Sequence, residues 1–408
     1  MNILYINHYA GSPKHGMEYR PYYLSKEWAK QGHNITIMAA SFSHLRIQNP
    51  KIRNRFFKEI INGINYCWVK TNKYKGNGIG RALNIFCFVW KLIINSRKIA
   101  GTIKPNVVIA SSTYPLDIYP AYLIARLSRA KLIFEVHDLW PLTLIFLGGM
   151  SKWHPFVVML QMAEDFAYKK CDKVISILPK TLDYMKSRGL SPNKFVHIPN
   201  GIDIEDWKTQ KSMLPEEHHN IIERYQKEGK FLVGYSGYHG IANALDSFIE
   251  SAKHIKNFPI ILILVGDGPE KKKLMEYTFK NKLNNIIFLP PLNKEYIPSL
   301  LDKIDILYLG LRKNKLYKYG ISINKLFDYM MAGKPIIFAG QAENDIVSEC
   351  GCGLACSPED PIAIADCIKK LYMMSPSDRA VMGEKGKNYV INNNDYKILA
   401  KKYLESIL

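Results

Sequence analysis

The stretch GYSGYHGIANALDSF, residues 234–248, sets glycines at 234, 237 and 240 where strand gives way to helix. An apolar run, Phe231-Leu232-Val233, precedes it, and Ala244, Leu245, Phe248, Ile249 and Ala252 follow at helical spacing. A helix N-terminus carries unpaired N–H groups and the positive end of the helix dipole. Gly240, Ile241, Ala242 and Asn243 would thus offer amides to a phosphate, and the glycines would let it approach. The same spacing also serves a plain strand-to-helix turn. No Lys or Arg lies within the loop, so a phosphate's countercharge must come from elsewhere. VGDGPEKKKL, 265–274, repeats the strand–glycine–helix logic with Gly266 and Asp267. Further on stand Arg312, Lys313, Lys315, Lys318 and Lys325, ahead of MMAGKPII, where Gly333 ends a helix and Pro335 opens a buried strand. Lys325 first and Arg312 second are expected to supply the charge; the other lysines read as solvated.

The elements that must position these residues alternate between strand and helix. Strands are expected at NILYIN, at NITIMAA, over 64–70, at VVIASS (107–112), KLIFEVHD (131–138) and VISILP (174–179), with a helix over Tyr22–Lys30. The pattern pauses near HIPNGIDIEDW (197–207), and a polar segment runs to about Lys230. It then restarts with FLVGYSG, IILILVGDG, IIFLP, IDILYLGL and PIIFAG, near-continuous apolar runs of the kind that parallel strands buried on both faces require. Alternation means βαβ units. The fold expected is α/β, two Rossmann-like doubly wound parallel-sheet domains facing a cleft, with ligands beyond the carboxyl ends of the strands. The divisions expected are 1–200, 201–385, and a C-terminal helix within 386–408 packing back on the first domain.

At 408 residues and 47% hydrophobic, the chain exceeds one ordinary core. Seven cysteines in this length do not read as a disulfide framework, and CGCGLAC, with Cys350, Cys352 and Cys356, lacks zinc-site spacing and reads as a tight loop. His218 and His219 read as exposed. The start runs directly into a strand with no leader pattern, and no apolar run is long enough to span a bilayer; a cytoplasmic chain is expected. The net charge of +20 suggests an anionic partner. No nucleic-acid signature is visible, so nucleic acid is not expected. The helix expected at 81–100 is broadly apolar with Arg81, Lys91, Arg97 and Lys98. It is either a buried helix or one lying in a membrane interface, with GGMSKWHPFVVML (148–160) beside it.

GYSGYHGIANALDSF, VGDGPEKKKL and INKLFDYMMAGKPII, together with EVHDLWP (135–141), IPNGID (198–203) and QGHNITIMA, resemble in order the landmarks of family-4 retaining glycosyltransferases of the GT-B fold. The nearest sub-group in likeness assembles bacterial surface polysaccharide (O-antigen, capsule) from UDP-linked N-acetylated sugars. The resemblance implies donor contacts along Gly237, Gly240, Ile241, Ala242, Asn243, Gly266, Asp267, Arg312 and Asn324, with Asp328 on the ribose. It gives His137 a place against the donor sugar and Lys325 one against the leaving diphosphate. Glu18 and Arg20 are candidate acceptor contacts. Where the family carries E-x7-E, this sequence has Gly320 in the first position.

The resemblance implies metal-independent transfer, with no cofactor, of a sugar from UDP to a polyprenyl-diphosphate-linked saccharide. The protein would sit peripherally on the inner face of the cell membrane, bound to its anionic surface. Rival readings are a UDP-sugar epimerase of the same fold and a non-catalytic nucleotide-sugar-binding subunit. A dehydrogenase lacks its glycine fingerprint.

Overall fold

The computed structural model describes residues 1–76, 78–209 and 212–408. They form two units: Met1–Asn200 with Tyr396–Leu408, and Gly201–Asp395.

The first unit holds an eight-stranded sheet ordered β3-β4-β2-β1-β5-β6-β7-β8. Its strands are β1 (Asn2–Ile6), β2 (Asn34–Ala40), β3 (Phe56–Ile61), β4 (Ile64–Val69), β5 (Val107–Ala110), β6 (Lys131–Val136), β7 (Lys173–Ser176) and β8 (Phe195–His197). All pairings are parallel except β3 with β4. These two make a hairpin over Asn62-Gly63, both with positive φ (48° and 80°), the turn chemistry that a tight hairpin requires. The helices that matter below are α1 (Arg20–Lys30), α2 (Ile79–Ile94), α3 (Ser96–Ile103), α4 (Ile118–Ser128), α5 (Leu142–Phe146) and α6 (Pro155–Lys170).

The single helix expected over 81–100 is two helices, bent by 64°. The Asn95 side chain donates to the Lys91 carbonyl and the Ser96 hydroxyl to the Ile93 carbonyl. Such local side-chain bonds compete with the helical ladder. Among the described residues no single helix is long and apolar enough to cross a membrane; α2 with α3 passes that test only as a bent pair.

The helix Tyr396–Ile407 packs on α1 in the first unit's core. Trp28 Nε1 donates to the Ala400 carbonyl at 3.0 Å, Tyr23 stacks on Tyr396, and Trp28 meets Tyr403 edge-on. Residues 386–395, expected to travel with this returning segment, lie instead in the second unit, where they end the helix Pro376–Asn393.

The second unit carries a wholly parallel sheet ordered β11-β10-β9-β12-β13-β14. The strands are β9 (Phe231–Ser236), β10 (Ile260–Val265), β11 (Ile286–Leu289), β12 (Ile306–Gly310), β13 (Ile336–Ala339) and β14 (Gly353–Cys356). CGCGLAC, expected to be a loop, supplies the edge strand β14. Its Gly353 lies so close to β13 that a Cβ would fall 1.8 Å from the Ile336 carbonyl oxygen. All seven cysteines are free thiols, and among the described residues no three His, Cys, Asp or Glu side chains gather as a metal site. His218, expected to be exposed, is buried, with Nε2 3.0 Å from the Pro290 carbonyl oxygen. In each sheet the chain reverses its direction of travel, beside β1 and β5 in the first and beside β9 and β12 in the second. Crevices at the carboxyl ends of such strands are where ligands bind in doubly wound sheets.

Candidate active site

Each unit gathers sequence-singled residues at its own switch point. In the first, Glu135 and His137 sit two apart at the end of β6, so strand alternation puts them on one face. Glu135 is wholly buried and ionised against Arg20: its Oε1 accepts from Arg20 Nε at 2.9 Å and lies 2.9 Å from Nη2 in an ion pair. Its Oε2 accepts from the Tyr5 hydroxyl and, at 2.7 Å, from Ser111 Oγ. His137 Nε2 lies 2.8 Å from Ser111 Oγ and 3.3 Å from Glu135 Oε2, and its Nδ1 lies 3.7 Å from Glu18 Oε2. Burial works against the imidazolium, yet the hydrogen bond and charge of Glu135, aided by Glu18, raise its pKa above the usual histidine value. Glu18 is partly exposed, and desolvation raises its pKa.

Arg20 departs from its expected place at the acceptor. It is buried, and besides Glu135 it donates to the Pro199 and Ile198 carbonyls at 2.6 and 3.0 Å. A guanidinium committed in this way ties β6 to the end of β8 and is not free for a ligand. Trp140 is buried, with the Arg81 guanidinium 5.6 Å over its ring.

In the second unit the loop after β9 is a 3-10 turn, Ile241–Asn243; the α-helix begins only at Leu245, after Ala244 in the left-handed region (φ 46°). The expected helix N-terminus at 240–243 is therefore displaced by a turn, and Asn243 N–H and Ala244 N–H bond back to the Gly240 and Ile241 carbonyls. This loop interlocks with the one after β10. His239 N–H donates to Asp267 O, Glu270 N–H donates to His239 O, and a Cβ on Gly266 would stand 1.9 Å from the Gly237 carbonyl oxygen. The buried His239 ring is kept neutral, its pKa lowered to about 4 chiefly by burial.

Lys325, in the first turn of the helix Asn324–Met331, reaches into this loop. Its Nζ donates to Tyr235 Oη at 2.7 Å and to Asn243 Oδ1 at 3.2 Å, and its Cε and Nζ back the space over Gly237. Among the described residues no carboxylate pairs with it. Burial lowers its pKa to about 7. Asp328, one turn further on, has its pKa raised by burial. Arg312, expected as the second countercharge, is already neutralised: it donates to Glu359 and Asp246, each at 2.7 Å. Of the two cations expected to supply the countercharge, Lys325 is the one that no carboxylate pairs with among the described residues. Sequence reasoning passed over Ser111, Tyr235 and Glu135; the E-x-H spacing within EVHD was the one signal available for the last. A separate cavity of about 590 Å³, lined by Asn34, Asn65 and Lys98 among others, opens at the amino ends of β2 and β4 and holds none of these residues.

Two α/β units, each built on a doubly wound sheet, define the GT-B class. The chain resembles, over 100% of its length and 99% of the other, the structure of Anabaena Alr3699/HepE in complex with UDP and glucose (TM-score 0.69, 15% identity). It resembles sucrose-phosphate synthase from Thermosynechococcus elongatus over 99% of this chain and 98% of that one (TM-score 0.73, 13% identity). Residues 15–206 match the model of Glycosyltransferase Family 4, and residues 230–374 that of Glycosyl transferases group 1. The chain is a glycosyltransferase of the GT-B fold, and its residues 15–206 are similar to the family-4 model. Curated relatives include a probable glycosyltransferase, WbjE, of Pseudomonas aeruginosa, 22% identical over 78% of this chain and 79% of its own length. Another is the putative colanic acid biosynthesis glycosyl transferase WcaI of Escherichia coli K12, 21% identical over 62% of each.

Proposed function

We propose that this glycosyltransferase moves a sugar from a UDP-sugar to a lipid-linked, diphosphate-bearing saccharide in bacterial polysaccharide assembly, with retention and without a metal. The observation that carries the reading is Lys325, a half-buried ammonium beside a glycine loop with no carboxylate to neutralise it. A departing diphosphate gains charge as the glycosidic bond breaks, and a fixed cation in a partly desolvated site stabilises that charge most where it grows. His137 contacts the donor sugar, and Glu18 borders the acceptor's approach. Asn324 and Asp328, on the helix that carries Lys325, are assigned to the donor, with Asp328 on the ribose, and so are Gly266 and Asp267. The donor's N-acetylated hexose character rests on the sequence resemblance. The polysaccharide setting rests on the relatives' names, and UDP on the complexes of the HepE structures.

The lipid-linked acceptor has support in the first unit. Alternate turns of α2 bury Ile85, Phe88, Val89 and Leu92, while Ile79, Leu83, Phe86, Trp90 and Ile94 are exposed. Leu123 and Leu127 of α4, Val158 and Met162 of α6, and Phe146, Leu147 and Trp153 extend the exposed apolar surface. From residue 60 to residue 116 the sequence holds no Asp or Glu, while Arg81, Lys91, Arg97 and Lys98 lie on α2 and α3. Apolar anchors with the basic side chains Lys91, Arg97 and Lys98 nearby suit the headgroup region of an anionic bilayer. The protein would thus act peripherally at the inner membrane face.

Incubation with a panel of UDP-sugars and a polyprenyl-diphosphate saccharide, with UDP release and product anomer as readouts, tests the reading. Turnover that persists in EDTA with the donor's anomeric configuration kept is expected. An inverted product, or dependence on a divalent ion, overturns the mechanism. Flotation with anionic liposomes is expected to carry the protein at low salt and to lose it in 1 M salt, where the screening length falls to about 3 Å. Absence of flotation removes the membrane role.

A further inference from the structure

We infer that Ser111 and Glu135 are positioning residues that fix the proton of His137 on Nε2 and leave Nδ1 as its working atom. The argument rests on counting hydrogens. Glu135, wholly buried against the Arg20 guanidinium, is ionised and can only accept. Ser111 has one hydroxyl proton and stands 2.7 Å from Glu135 Oε2, so that proton goes to the carboxylate. Asn7 Nδ2 also approaches Ser111 Oγ, at 3.3 Å, as a donor. The remaining 2.8 Å contact, between Ser111 Oγ and His137 Nε2, is a hydrogen bond only if Nε2 donates. Glu135 Oε2, 3.3 Å from the same nitrogen, favours the same placement.

His137 therefore keeps its Nε2 hydrogen whether neutral or charged. The proton that comes and goes is on Nδ1, the nitrogen that faces Glu18 at 3.7 Å. Charged, Nδ1 donates to an oxygen of the bound sugar or leaving group; neutral, it can only accept. The groups facing the ring are Glu135 on its own strand, Ser111 at the end of β5, Glu18 in the loop after β1 and Arg20 on α1. Asp138 adjoins the ring, and Asp117, buried beyond β5, adds a further carboxyl whose pKa burial raises to about 7. Glu135 and Glu18 favour the imidazolium, and Arg20 opposes it. The catalytic part of this inference rests on the transfer reaction proposed above; the proton placement does not.

The test uses the full chain with ¹⁵N-labelled histidine, His137→Gln assigning the resonance, and the variants Ser111→Ala, Ser111→Thr and Glu135→Gln. The substrate-free wild type is expected to show the Nε2–H tautomer above the His137 titration. Ser111→Thr keeps the hydroxyl and should keep both that signature and the position of the pH–rate profile. Ser111→Ala should mix the tautomers, and Glu135→Gln should lower the histidine's titration point and move the basic limb of the rate profile down by about one pH unit or more. An Nδ1–H tautomer in the wild type, or Ser111→Ala indistinguishable from wild type in both spectrum and profile, overturns the inference. If Glu135→Gln does not fold, the two serine variants decide. Should no UDP-sugar turn over while the Nε2–H tautomer is found, the assigned reaction fails and the proton placement stands.

Discussion

Lys325 Nζ lies 2.7 Å from the Tyr235 hydroxyl and 4.0 Å from the centroid of its ring. The phenol and its π face hold the ammonium without a neutralising carboxylate, so the cation remains available to an anion.

If the proposed donor binds here, that arrangement makes its binding pH-dependent, and UDP is the probe. The free-state pKa of Lys325 is about 7, and a bound diphosphate raises it, because an opposite charge favours the protonated form. Affinity should be greatest below about pH 7 and weaken as pH rises, by up to about tenfold per unit until the bound-state pKa is reached. Calorimetry in buffers of different ionisation enthalpy should show proton uptake on binding near pH 8. Binding without proton uptake would remove Lys325 from the phosphate.

The two expected cations should separate in mutagenesis. Lys325→Met should weaken UDP binding by about 10- to 100-fold, the scale of one hydrogen bond to a charged group. Arg312→Ala, which removes a cation already shared by Asp246 and Glu359, should change it by less than about fivefold, as partly exposed ion pairs contribute little. Equal losses in a UDP titration would contradict the assignment.

Gly266 has φ 148°, and a Cβ there would stand 1.9 Å from the Gly237 carbonyl oxygen. Gly266→Ala adds backbone strain of about 1–3 kcal/mol and forces the interlocked loops apart. Loss of UDP binding together with a lower unfolding midpoint is the expected result. An alanine variant with wild-type affinity would show that the loop contact is dispensable.

Arg20→Met should leave the Glu135 carboxylate buried without its guanidinium counter-charge and cost about 3–5 kcal/mol of stability. Chemical denaturation measures this directly. A loss below about 1 kcal/mol would mean that Glu135 takes up a proton at little cost.

The alternation of apolar runs made the two doubly wound sheets legible, because parallel strands buried on both faces leave a pattern that local propensity does not blur. β3 escaped, although the Asn62-Gly63 turn beside it is a hairpin signal; its residues, FFKEII, are largely exposed and carry no apolar run. β14 hid in CGCGLAC, since an edge strand needs few β-formers when Gly353 lets it approach β13. Lys325 and His137 could be singled out from type and spacing. Which cations were already spent could not: Arg20 meets Glu135 across 115 positions and Arg312 meets Asp246 across 66, and no local rule reports such distant partners. The break at Asn95 was legible in principle from Asn-Ser beside a long apolar helix.

The helix Tyr396–Ile407 closes the core around Tyr23 and Trp28, the latter bonded to Ala400 across 372 positions. During synthesis the aromatic seam of the first domain therefore stays uncovered until residues 396–407, made after the whole second domain, reach it. A chain halted at Asp395 would release a second domain of full length and a first domain that cannot seal. The finished enzyme thus carries a built-in proof that translation passed that point.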